Sequence, residues 1–164
     1  RVLIFQTDTL LIEPLEYSMF NFDYIGALFS KGKSRSIKFP HFNNDLSEEI
    51  GSTWVTQIYN EELSLGILIG NGGLSIRNRD IMMEICNKET SNNEENEEIF
   101  FSRYIKKYCK NIPNKSDARR FAIEADYSES IGFHGSYYYL EEKELSSIYD
   151  RHIRNIIGLA GNLI

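Results

Sequence analysis

Cysteine, proline and tryptophan are scarce in this sequence of 164 residues, which holds two, three and one of them. Two cysteines make no disulfide framework. Cys86 and Cys109 each fall at a helical core spacing, and both read as reduced packing residues. Basic charge is also short. Eighteen Lys and Arg stand against 24 Asp and Glu, a net charge of −6. That balance argues against nucleic acid or an anionic membrane as the main partner, since surfaces for either carry a basic excess. Long hydrophobic runs are missing too. The most apolar stretch, Leu63 to Ile69, is far shorter than the roughly 20 residues of a membrane-spanning helix. No signal or transit peptide is visible, so the expected location is cytoplasmic.

What is present is apolar and aromatic. Hydrophobic residues make up 41% and charged residues 26%, a globular rather than disordered balance. Ten Tyr and ten Phe suit a packed core, and also surfaces on which sugars stack. The chain does not begin with Met, and Arg1-Val2-Leu3-Ile4-Phe5 already reads as a buried strand. The expectation is a single domain over residues 1–164, truncated at its N-terminus.

Apolar runs predict strands over Val2–Gln6, Tyr24–Leu28, Leu65–Ile69, Leu74–Ile76, Phe121–Ile123 and Ile131–His134. Leu15–Phe20 reads as a short helix. Asn78 caps a helix with Ile81, Met82, Ile85 and Cys86 on one face. Over Ile99–Cys109, Phe100, Tyr104 and Tyr108 recur at i+4, as do Phe101, Ile105 and Cys109. Leu145, Ile148, Tyr149, Ile153, Ile156 and Ile157 mark a last helix, loosened at its end by Gly158 and Gly161. A long irregular stretch from Phe29 to about Asn60 separates the second strand from the third. Strands and helices mix throughout, so the fold class is α/β, a mixed sheet with flanking helices.

Four constellations can carry chemistry. Gln6-Thr7-Asp8 ends the first strand, where ligands of α/β folds bind and where a carboxylate can hold a hard cation. A turn Asp bonded to its own backbone is the plainer reading. In Asn71-Gly72-Gly73-Leu74 two glycines let a backbone approach a ligand, although Asn-Gly is also a hairpin signal. Glu97 and Glu98 open a helix, either as complements to its dipole or as a general base. His134, between Phe133 and Gly135, is either structural or a metal or phosphate contact.

The order of these segments is more telling than any one of them. Gln-Thr-Asp-Thr after a strand is followed by Asp23-Tyr24-Ile25-Gly26-Ala27 and then by Gly70 to Arg77. Asn96-Glu97-Glu98-Ile99-Phe100-Phe101-Ser102, Arg120 to Glu124 and Gly132-Phe133-His134 complete the series. From Val2 to about Tyr149 the chain resembles an uncharacterised domain-of-unknown-function family related to glycosyltransferases of the GT-A fold. The resemblance implies the C-terminal part of such a nucleotide-sugar transferase domain, with a nucleotide-binding half ahead of Arg1. In that fold an Asp-x-Asp motif holds a divalent metal against the donor diphosphate. Gln6-Thr7-Asp8 stands there, keeping only the second acid. The resemblance thus implies metal contact by Asp8 and His134, with manganese or magnesium, and substrate contact by Gln6, Asn71, Gly72 and Gly73. It implies Glu98, or else Glu97, as the base.

The expected function is transfer of a sugar from a nucleotide-sugar donor to a carbohydrate or other hydroxyl acceptor. The alternative is a non-catalytic sugar-binding or scaffold remnant of such a domain. Inversion and retention both stay open.

Overall fold

The opening apolar run forms strand β1 (Val2–Phe5) in a computed structural model that describes residues 1–27, 71–91, 97–124, 127–136 and 140–161. Strand β2 (Thr9–Leu11) follows after a tight turn closed by Thr9 N donating to Gln6 O at 3.1 Å. The short helix expected near Leu15 is a 3-10 helix at Tyr17–Asn21. Strand β3 (Tyr24–Ala27) is fully buried. The next described strand is β4 (Asn71–Arg77). The expected strand Leu65–Ile69 and the stretch Phe29–Asn60 lie outside the described residues.

Helix α1 (Arg79–Lys88) starts where the sequence places it, with the Asn78 side chain accepting from Asp80 N. Met82 and Ile85 are buried, but Cys86 is exposed, a correction to its reading as a packing residue. The helix presents only a narrow apolar stripe, and Cys86 falls just off it. Helix α2 (Glu97–Tyr108) buries Phe100, Phe101 and Ile105. Glu89 ties the two helices, accepting from Lys107 Nζ at 2.6 Å and Tyr108 Oη at 2.5 Å. Those hydrogen bonds hold its carboxyl below the ordinary value. Helix α3 (Lys115–Phe121), capped by Asn114, was not foreseen and takes Phe121 from the expected strand, leaving β5 as Ala122–Ile123. Strand β6 is Gly132–His134. Helix α4 (Glu142–Gly161) runs on through Gly158, so that glycine does not loosen it.

The strands form two antiparallel or mixed sheets rather than one. β1, β4 and β3 pair antiparallel in the order β1-β4-β3. β2, β6 and β5 form the second, with β5 parallel to β6. One core lies between the first sheet and helices α1 and α2, around Tyr24, Ile85 and Ile105. A second lies between the two sheets and α3, around Ile25, Leu74, Ile76 and Phe121. The third packs α4 on the second sheet through Phe133, Leu140 and Ile148. Asp23 locks the first sheet to the end of α2, accepting from the backbone N–H groups of Lys110 and Asn111 at 2.9 and 3.0 Å. Burial works to raise its pKa, but these bonds, the Asn78 amide and nearby Arg1 outweigh burial and hold it below the ordinary carboxylate value.

Among the described residues no helix is long and apolar enough to cross a membrane.

Candidate functional site

Gly72 and Gly73 are not a turn. They lie within β4, which corrects the hairpin reading. Between Gly26 and Ala27 the β3 partners jump from Ser75 to Asn71, so Gly72, Gly73 and Leu74 have no partner residue on β3. The segment bulges while keeping its bond to the first strand, Gln6 N to Gly73 O at 3.0 Å. Two different side-chain groups lie across the two glycines. A Cβ on Gly73 would collide with the His134 ring and with Gln6 Oε1, and one on Gly72 with Glu97 Oε1 and the Arg77 guanidinium. Close approach, not positive φ, is what glycine supplies here.

The first group converges on His134. Pairing of Thr9 with His134 across β2 and β6 brings the Gln6–Thr9 turn alongside the ring, and Gly135 N donates to Asp8 O at 3.0 Å. His134 Nε2 lies 3.1 Å from Gln6 Oε1 and 3.4 Å from Asp8 Oδ1. Parallel pairing of Ile123 with Phe133 sets Glu124 beside the ring, its Oε1 3.4 Å from Nδ1. His134 and Glu124 are buried, whereas the Asp8 side chain keeps 26% exposure. Oxygen atoms therefore face both edges of one imidazole. Either a doubly protonated ring or a cation shared with Nε2 satisfies that arrangement.

The second group is built on Arg77. Its guanidinium pairs with Glu97 at 2.7 and 3.4 Å, the two-pronged geometry that a planar fork favours. It also donates to Ser75 Oγ and to Gly72 O, and stacks over Tyr24 and Phe101 at 5.0 and 5.5 Å. Glu97 is thus engaged as the partner of a buried arginine. Glu98 is the next residue of the helix, but its side chain, like that of Asn71, lies outside the described residues.

Gln6, Asp8, Gly73 and His134 thus meet at one place, and Gly72 and Glu97 at its neighbour on the other face of β4. Sequence reasoning missed Glu124 and Arg77 as members. Glu124 has a signal, since it is the acid just after a short buried strand, but nothing local ties it to His134. Among the described residues no group of three or more His, Cys, Asp or Glu side chains is arranged to hold a metal ion. A cleft of about 220 Å³ opens on the far side of Asp8, toward α4, with Leu10, Phe133 and Ile148 in its wall.

The architecture these residues build is a mixed α/β fold with two small sheets and flanking helices. Residues 1–136 match the model of DUF5672, a family of proteins of unknown function, and the chain belongs to that family. Comparison with curated proteins and with solved structures gave no match.

Proposed function

We propose that this chain carries the metal and acceptor side of a glycosyltransferase of GT-A type, moving a sugar from a nucleotide-sugar to an acceptor hydroxyl. The observation that carries the reading is the convergence of Gln6 and Asp8 on His134 beside Gly73, with Gln6 and His134 128 residues apart. Donor oxygens at 3.1 and 3.4 Å from an imidazole nitrogen are spaced like neighbouring ligands of one ion, whose bonds run about 2.0–2.2 Å. Glu124 on the other ring nitrogen fits the carboxylate–histidine support common around bound metals. A magnesium- or manganese-type ion held by few protein groups keeps positions for phosphate oxygens. Asp8 and His134 would hold it, with Gln6 alongside, and when bound it would offset the charge of a leaving diphosphate.

Glu98 is the residue assigned to take the acceptor proton. Glu97, which the sequence left as its rival, is held by Arg77 and serves instead to fix the start of α2. A non-catalytic sugar-binding remnant is the second reading, favoured by Gln6 where a first metal-binding acid would stand. A hydrolysis screen of nucleotide-sugars with and without manganese separates the two. The transferase reading expects manganese-dependent release of nucleoside diphosphate, lost in Asp8→Asn. Sugar binding with no turnover under any donor would leave the remnant.

A further inference from the structure

We infer that the cleft between the Gln6–Thr9 turn and helix α4 is a binding site for a small uncharged molecule with one apolar face and a hydroxyl-bearing edge. That this molecule is the acceptor of the transfer rests on the proposed function, but the binding does not. One wall is apolar, made by Leu10 and Phe133 from the second sheet and Leu145, Ile148 and Tyr149 from α4. The other is polar, and Asp8 is its charged member. At about 220 Å³ the cleft is below the roughly 300–1,000 Å³ of drug-sized sites, which limits the occupant to about one ring with substituents.

Ser136 is the observation that points to a ligand. It lines the cleft, is only 6% exposed, and its Oγ is buried with no hydrogen-bond partner. A buried hydroxyl left unmade costs stability, and native structures satisfy nearly all such groups. Turned by one rotamer step into the cleft, that hydroxyl takes a ligand hydroxyl as its missing partner. Gly135, at φ 59°, is the one positive-φ residue among those described and turns the chain out of β6 just before Ser136. Charge sets the class. No basic side chain lines the cleft among the described residues, and Asp8 does. On this side of Asp8, away from His134, an anion would face that carboxylate with no cationic side chain of the cleft to offset it. An uncharged ring lays its apolar face on Phe133 and Tyr149 and turns its hydroxyls to Asp8 and Ser136.

The test is an NMR titration of the full chain, labelled at Ile and Leu methyls, with methyl β-D-glucoside and with phenyl phosphate. The glucoside is expected to shift the Leu145 and Ile148 methyls, and the phosphate to leave them unmoved. Ser136→Ala should bind the glucoside about five- to tenfold more weakly while melting no earlier than wild type, because its hydroxyl has no partner to lose. Tyr149→Ala, at an exposed position, should weaken binding about fivefold. The proposal is overturned if the glucoside leaves both methyls unshifted, if Ser136→Ala binds as well as wild type, or if the phosphate binds as tightly. Glucoside binding in a protein that hydrolyses no nucleotide-sugar upholds the cleft and sinks the transfer reaction. Hydrolysis without glucoside binding does the reverse.

Discussion

Adding one methyl group at Gly73 tests whether the glycine exists to seat His134. The Cβ of Gly73→Ala would overlap the His134 ring and come within 2.5 Å of Gln6 Oε1. Gln6 is exposed and can swing away. His134 cannot move cheaply, because its ring is buried and Glu124 flanks the other nitrogen. Overpacking of this kind typically costs about 1–3 kcal/mol. For a domain of this size each kcal/mol lowers Tm by about 2–4 °C, so the expected loss is about 2–12 °C. Calorimetry on four proteins checks the cause: wild type, Gly73→Ala, His134→Ala and the double variant. If the clash with the ring is the reason, the alanine at 73 should cost almost nothing once His134 is gone, a coupling of at least about 1 kcal/mol. Additive losses would refute the reasoning, as would a Gly73→Ala protein that melts no earlier than wild type.

The other glycine on the helix side of the chain behaves oppositely. Gly158 lies within α4 with nothing within 4 Å of an added Cβ, so Gly158→Ala should gain about 0.5–1 kcal/mol, read as a higher Tm. Cys109 is buried and its thiol pushed up to about 12, first by burial and then by Asp23, whereas Cys86 is exposed. A thiol reagent should therefore titrate one group in the folded protein and two after denaturation. Asp23 is held below the ordinary carboxylate value, so its stabilising share is complete above its unfolded value and is lost as pH falls through the lower folded one. The stability gap between wild type and Asp23→Asn should be full near neutrality and close in strong acid, measured by urea unfolding across pH.

Local signals carried most of the elements. Asn78 reads as a cap because a short polar side chain ahead of a periodic run has one good use, and the structure has Asn78 accepting from Asp80 N. The apolar faces of α2 and α4 follow from spacing in the same way. Helix α3 was hidden because seven residues are too few for a periodic stripe, although Asn114 and Asp117 form its capping signature. The glycine pair misled for a different reason. Asn-Gly-Gly suits a hairpin locally, and only the side chains that cross it, His134 on one face and Arg77 on the other, explain glycine inside a strand. Gln6 and His134 are separated by 128 residues, and no window of sequence contains their meeting. Two strand registers create it, β2 on β6 and β1 on β4. Arg77 carries no local signal of its own, since its role depends on Glu97 arriving from another element.

The central claim is that Gln6, Asp8 and His134 form one divalent-cation and diphosphate site. Paramagnetic broadening by manganese tests it most directly, following the three histidine ring signals with a nucleoside diphosphate present. The account predicts that substoichiometric manganese broadens His134 before His152, and loses this selectivity in Asp8→Asn with folding retained. Uniform broadening, or His134 broadening that Asp8→Asn does not change, would contradict it.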